Sequence, residues 1–274
     1  MAIYLQTNVS SLVAQMHFNQ SQAAVQSSFA KLSSGYRINS AADDAAGLGI
    51  SKSFNAQVQS YTVASQNAND AVSMVQTADS SGDQVQSLLT RMRQLAVEAQ
   101  NGTMSANDQT NLQTEFSQNV AEIDRVAGES SFNGINLLNG AQTASNVSNF
   151  QIGINGNTSL DQISVQFGGM DSSSLGLTGA TVTSAAILAS IDSAIQSVSK
   201  TRAGWGAAIN RLDDASANIL STQQNLAAAL SSLRDVNVAA ETANLAREQV
   251  LAQAGASVLA QANQSPQLAL KLLQ

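Results

Sequence analysis

The sequence predicts a mainly α-helical protein, built of long coiled-coil or bundle helices with one small β-hairpin region. Three observations lead there. Apolar residues recur three and four positions apart over long stretches, the spacing that buries one stripe of a helix against its neighbours. The 274 residues contain a single Pro, so helix breakers are scarce, while the abundant Ala, Gln and Leu favour or tolerate helix. Apolar and polar residues alternate strictly in one stretch only, within residues 150–167. Disorder is the competing reading of a chain this rich in Ser, Asn and Gln, and the periodicity argues against it.

From the N-terminus, Val9, Leu12, Val13, Met16 and Ala23 share one side of a weakly amphipathic helix. A long helix follows from about Phe54 to Ala99. Its seam runs through Val58, Tyr61, Ala68, Val72, Val75 and Ala78, then Val85, Leu88, Met92, Leu95 and Ala99, with a phase slip between Ala78 and Gly82 like that of a stammer. Asn101-Gly102 supplies a C-cap signal. Ser105 and Asp108 open a third helix with a capping-box pattern. Leu112, Phe116, Val120 and Ile123 line its apolar face, and Gly128 is expected to stop it.

Residues 130–183 change character. Asn133-Gly134, Asn139-Gly140 and Asn155-Gly156 each mark a turn. Phe150, Ile152 and Ile154, then Ile163, Val165 and Phe167, alternate with polar or small residues and predict a hairpin with its loop at 155–161. So small a hairpin must lie on the helices to be stable. A heptad seam from Ile195 through Val198, Trp205, Ile209, Leu212 and Ile219 to Leu233 predicts a helix over 184–234, about 75 Å long. The last helix carries Leu245, Val250, Ala254, Val258 and Ala262 on one side, and Ser265-Pro266 is expected to break it before Leu268–Leu273. Neither terminal stripe would stabilise an isolated helix in water, so each needs a partner, either the other end of the chain or another molecule.

Composition removes whole classes of function. Twelve basic and 19 acidic residues give a formal charge of −7, and only 11% of the chain is charged. The acidic balance argues against general nucleic-acid binding. With no Cys and one His, neither a disulfide framework nor a multi-histidine metal site is available. No apolar run is long enough to insert in a membrane, and the N-terminus does not read as a cleavable signal peptide. The charges are also unevenly placed. Residues 1–30 carry none, and residues 249–274 carry only Lys271. Neutral ends suit burial against other protein.

Nothing catalytic stands out. Asp43-Asp44 reads as a helix first turn after Ser40, where acids favour the helix dipole, rather than as paired catalytic carboxylates. Asp213-Asp214 reads as a solvated face beside Arg211. His17 reads as a packed histidine rather than a ligand. Gly47-Leu48-Gly49 lacks the strand and the Lys-Ser/Thr of a phosphate loop, and reads as close packing where the tails meet the helical middle. Asn8, Asn101, Asn146 and Asn157 begin N-x-Ser/Thr triplets of the kind that arise by chance in such a composition. The expectation is no enzyme, no cofactor and no metal.

One long segment is more informative. LSSGYRINSAADDAAGLGIS at 32–51 resembles the signature of bacterial flagellins. SQNANDAVSMVQTAD at 65–79, RMRQLAVEAQNG at 91–102, EIDRVAGESSFNGINLLNG at 122–140 and AGASVLAQANQSPQLALKLL at 254–273 agree in order and spacing, so the resemblance covers essentially the whole chain. The resemblance implies a structural subunit that is secreted and polymerises into the extracellular flagellar filament, serving swimming motility. It implies a terminal coiled-coil core domain, residues 1–44 with 235–274, and a helical layer domain, 45–234, with the hairpin region at about 141–179 in place of large outer domains. Leu5, Val9, Leu12 and Met16 would then serve assembly together with Leu245, Val250, Ala254 and Val258. Arg37, Asn39, Asp43 and Asp44 would form the junction between tail and layer.

The same resemblance implies partners: further copies in a helical homopolymer, a type III flagellar export apparatus, an export chaperone, a cap protein and hook-associated junction proteins. Arg91, Arg93, Leu95 and Glu115 match the region that innate immune receptors for flagellin recognise, a surface that also packs subunits axially. Some flagellins carry O-linked sugars, for which Ser and Thr of 141–179 are candidates that the sequence does not rank. Asn237 and Val238 stand where the family often has an acidic residue and an aromatic. The alternative readings are a hook-filament junction protein, and a coiled-coil adaptor or membrane-active helical protein.

Overall fold

The computed structural model describes residues 7–140 and 147–272, with side chains detailed up to residue 264. Within these the order is α1 (Val9–Ser34), α2 (Ala45–Ala99), α3 (Ala106–Glu129), β1 (Ser131–Phe132), β2 (Ile135–Asn136), β3 (Val147–Gln151), β4 (Gln162–Gln166), α4 (Ile187–Arg234) and α5 (Val238–Leu272). The chain divides into two compact units, one of residues 57–224 and one formed by Met1–Ala56 with Asn225–Gln274.

The unit of residues 57–224 holds the main core. Leu89, Met92 and Leu95 of α2, Phe116 and Ile123 of α3, and Ile191, Trp205 and Leu212 of α4 are all fully buried there. These are largely the seam positions that the heptad spacing marks. The phase slip at Ala78 to Gly82 does not interrupt α2. Gly82 instead lies under the Trp205 ring, where a Cβ would stand 3.0 Å from Cζ3. The missing side chain makes room for the largest one in the core. Trp205 also donates from Nε1 to the Gln166 carbonyl at 2.9 Å, which ties β4 to α4. Beside it, Arg202 donates to Asp79 at 2.8 Å, Asp83 at 2.9 Å and the Gln86 side chain at 2.8 Å, joining α4 to α2 along one edge. Several charge-assisted bonds on one planar guanidinium give geometric specificity that single surface pairs lack.

Polar side chains of α3 hold the irregular stretch after the hairpin. Asp124 accepts from the Ser172 amide and hydroxyl at 2.7 and 2.9 Å. Gln113 accepts from the Val182 amide at 2.6 Å. The helix starts as its sequence announces, with a complete capping box between Ser105 and Asp108, but it runs through Gly128 to Glu129. A glycine weakens a helix without ending it when neighbouring contacts hold the turn. Asn133 and Gly134, both at positive φ, turn the β1–β2 pair, a short ladder on either side of the turn that Asn-Gly marks. In the predicted hairpin Phe150 pairs with Ile163. Its loop starts earlier than expected, because Asp161 gathers it: the carboxylate accepts from the Asn155 and Asn157 amides at 3.1 and 2.7 Å, and the carbonyl accepts from Ile152 at 2.8 Å.

Two expectations need correction. The first concerns α2, which begins at Ala45, well before Phe54, and Asp43-Asp44 precede it instead of forming its first turn. Asp44 accepts from the Gly47 amide at 2.8 Å, so it caps the helix. The second concerns α5, which continues through Pro266 to Leu272 instead of breaking there.

Leu95→Ala should destabilise the 57–224 unit by about 2–5 kcal/mol, the usual cost of emptying a fully buried leucine site. Urea unfolding followed by the fluorescence of Trp205, the sole tryptophan, measures it.

Candidate assembly surface

The unit formed by the two chain ends is a pair of antiparallel helices, α1 and α5, closed at one end by a short crossing. Their pairing seam mixes small side chains with a few larger ones. On α1 the residues that lose exposure recur at Ser11, Ala14, Phe18, Ser21, Val25, Ser28 and Leu32, and on α5 at Leu245, Glu248, Ala252, Gly255, Leu259 and Ala262. Both series alternate 3 and 4 apart, as a coiled-coil seam does. Ala14, Ser28 and Ala252 are buried. Gly255 lies against Phe18, whose ring Cδ2 would be 3.7 Å from an added Cβ.

Other bulky apolar residues point elsewhere. Leu12 is 58% exposed, Met16 53%, Val250 68% and Val258 57%. Val9, Val13, Phe29 and Leu251 are exposed as well, and so is Ala254. Of the assembly residues marked in the sequence, Leu245 alone turns partly into the pair, and Leu5 lies outside the described residues. Stripes read as two sides seeking a partner are thus left open, because a second seam of smaller residues makes the intramolecular contact. A groove on this pair is lined by Ala14, His17, Ala24, Leu251, Gly255 and Val258. His17 is exposed at its edge, not packed in a core as the sequence suggested.

The crossing brings the four junction residues near one another in the chain but gives them separate tasks. Gly35 ends α1 at φ +74°, a left-handed conformation that suits glycine. Tyr36 then forms a bridge with Asp235, while the Arg37 amide donates to the Arg234 carbonyl at 2.7 Å and the Val236 amide to the Gly35 carbonyl at 2.9 Å. The Arg37 guanidinium donates to the Leu233 carbonyl at 2.6 Å, covering one of the last carbonyls of α4. Arg234 stacks over the Tyr36 ring, 3.8 Å from its centroid, a cation–π contact. Asn237 accepts from the Ala240 amide at 3.1 Å and so caps α5, a task that its short amide performs at this bend.

Asp43 closes the turn before α2. Its carboxylate accepts from the Ser40 amide at 2.8 Å, the Ser40 hydroxyl at 3.0 Å and the Asn39 amide at 3.1 Å. The Ser40 amide and hydroxyl, with the Asn39 amide, hold its pKa below the ordinary carboxylate value. Its contribution to the turn is therefore present above the ordinary value and fades as pH falls through the lowered one. Ile38 is buried at 1% exposure, and Gly47 makes that possible: a Cβ there would overlap the Asp44 carboxylate and meet Ile38 Cδ1 at 2.8 Å. Gly49 has open space around it and no such role.

On the other unit, Arg91 pairs with Glu115 at 2.6 Å and Arg93 with Asp192 at 2.6 Å, all half exposed. Leu95 is fully buried, so in this chain it supports that face from beneath. Asp213 and Asp214 are exposed. Among the described residues no cluster of His, Cys, Asp or Glu has the arrangement of a metal site, and no helix is long and apolar enough to cross a membrane.

Comparison with known proteins agrees with this geometry. Residues 5–143 match the bacterial flagellin N-terminal helical region, and residues 188–273 the bacterial flagellin C-terminal helical region. Flagellin from Halalkalibacterium halodurans is 40% identical over 262 residues, covering 94% of this chain and 93% of its own. Flagellin FlaB2 from Treponema pallidum is 36% identical over 284 residues, with 97% and 98% covered. Flagellin from Bacillus subtilis is 36% identical over 301 residues, with 97% and 98% covered. Family matches in both halves, joined by relatives that align from end to end, place the chain in the bacterial flagellin family.

Proposed function

We infer that this flagellin, a structural subunit of the flagellar filament, assembles through the outward apolar face of its α1–α5 pair. The observation that carries this reading is the exposure of Leu12, Met16, Val250 and Val258 in two stretches, residues 1–30 and 249–270, that contain no charged side chain. Covering such side chains with neighbouring subunits contributes about 1.5–3 kcal/mol each. That gain has to offset about 1–2 kcal/mol of backbone entropy for every residue ordered on assembly. The terminal core domain of this reading is residues 1–44 with 235–274, and the layer domain is 45–234.

Thin terminal stripes also suit a chain that is exported before it folds. We place a type III export apparatus, an export chaperone, a cap protein and hook-associated junction proteins among its partners, and the filament outside the cell. The absence of Cys and the single Pro leave few covalent or isomerisation traps on refolding.

A second surface is favoured by the exposed Arg91–Glu115 and Arg93–Asp192 pairs. We propose that innate immune receptors for flagellin read Arg91, Arg93 and Glu115, with Leu95 holding the helix beneath them.

Removing residues 249–274 should leave a soluble, helical protein that no longer polymerises, as sedimentation and negative-stain microscopy would report; normal filaments would refute the assembly role. Leu12→Asp in the full chain should raise the critical concentration for assembly at least tenfold, a loss of about 1.4 kcal/mol or more. Arg91→Ala should reduce activation of receptor-bearing cells by soluble monomer about tenfold, while thermal unfolding changes little because an exposed pair contributes about 0–1 kcal/mol. An unchanged dose response would reject the receptor surface.

A further inference from the structure

The single proline of the chain sits inside α5, at position 266, and the helix runs through it. Proline has no backbone N–H, so it cannot donate to the carbonyl four residues earlier. That carbonyl belongs to Ala262. Since there is one Pro in the sequence, Ala262 is the one interior helical carbonyl, among the described helices, that the sequence itself deprives of its helical donor. A partly buried acceptor without a donor is costly.

The donor comes from the far end of the chain. Asn8 Nδ2 donates to the Ala262 carbonyl at 2.8 Å. The other end of the same amide is also used: Asn8 Oδ1 accepts from the Ser11 amide at 3.1 Å and caps α1. Ser11 Oγ in turn donates to Asn263 Oδ1 at 2.6 Å. One planar amide therefore starts α1 and completes α5, at positions 254 residues apart.

We propose that Asn8 and Pro266 form a matched pair that sets the register of α1 against α5, with Asn8 a positioning residue for assembly. Packing also bears on the register, because Phe18 lies against Gly255. Between such contacts the seam repeats Ser and Ala at Ser11, Ala14, Ser21 and Ser28, which present similar surfaces at successive turns, so the directional bond at the open end of the pair adds a constraint that packing alone lacks. A slip of one turn sets the Asn8 amide against a carbonyl already bonded within α5 and leaves that of Ala262 without its donor. The logic is that of a lone polar residue fixing register in an otherwise uniform coiled coil. Register matters here because it sets how far the exposed Leu12 and Met16 of α1 stand along the pair from the exposed Val250 and Val258 of α5. A slip would change that spacing.

This inference rests on the reading that the α1–α5 face drives assembly, and a double-mutant cycle on the full-length chain tests it. Asn8→Asp keeps an acceptor to cap α1 but removes the donor to Ala262. Pro266→Ala restores a helical N–H to that carbonyl. Asn8→Asp alone should raise the critical concentration for filament assembly about fivefold, the loss of one partly buried hydrogen bond. In the Pro266→Ala background the same substitution should change it less than about twofold. Effects on the cap and on helix propensity are common to both arms and cancel. Equal changes in the two backgrounds, or no change in either, overturn the matched pair. Leu12→Asp run alongside separates the causes. If it blocks assembly while Asn8 and Pro266 do not couple, the pair alone is wrong. If it too has no effect, the assembly face is wrong and the pair falls with it.

Discussion

The contact on which the terminal unit depends is the small-residue seam between α1 and α5. Ala14, Ser21, Ser28, Ala252 and Gly255 let the two helices approach closely, but they bury little apolar area. Each helix therefore keeps several of its larger apolar side chains on the outside, Leu12 and Met16 on α1 and Val250 and Val258 on α5 among them. A monomer whose best hydrophobic surface is unspent in its own fold is poised for polymerisation, and the nearly uncharged ends remove the desolvation cost that charged tails would impose. The 57–224 unit follows the opposite rule. Its seams bury Trp205, Phe116, Leu89 and Met92 within the chain, and its charges lie at the edges in defined pairs. One chain thus contains a unit that buries its large apolar side chains within itself and a unit that, in the proposed assembly, covers them with neighbouring copies.

Backbone accounting explains the local devices. Each helix boundary that matters here is met by a short polar side chain: Asn8 for α1, Asp44 for α2, Ser105 with Asp108 for α3, Asn237 for α5. Arg37 and Asn8 go further and satisfy carbonyls on a distant part of the chain. The chain changes direction at Gly35–Arg37 and at Asp235–Asn237 under these constraints, so the signature at 32–51 encodes a crossing with an ordered set of donors and acceptors, not a catalytic site. This gives the Asp-Asp pair an unexciting and specific purpose. Asp43 closes a turn and Asp44 caps a helix, and neither is aimed at a ligand.

The heptad positions of α2 and α4, the capping box of α3, the Asn-Gly turns and the pairing of Phe150 with Ile163 were legible in the sequence because each is a local pattern. What was not legible has one cause in common. The inward side of α1 is marked by small residues, which carry a weak periodic signal, so the stronger Val9–Met16 stripe was read without knowing which way it faces. Gly82 reads in the sequence as a break in phase and is in fact a socket for Trp205, beside the Arg202–Asp79 pair whose partners lie 123 residues apart. Pro266 looked like a helix end because a proline removes a hydrogen bond. The donor that makes up for it lies at the other end of the chain, where no window of neighbouring residues can see it.

By itself the sequence determined the class of the protein, its helices and its neutral ends, since these follow from composition, periodicity and a family signature that are all present in the linear order. Only the tertiary structure decided which face of each terminal helix is spent inside the molecule and which is left for another, because that choice is made by close packing of small side chains between segments far apart. It also decided where the orphaned carbonyl of Ala262 finds its donor. Hydrogen bonds and packing act over a few ångströms of space, and the distance along the chain does not enter.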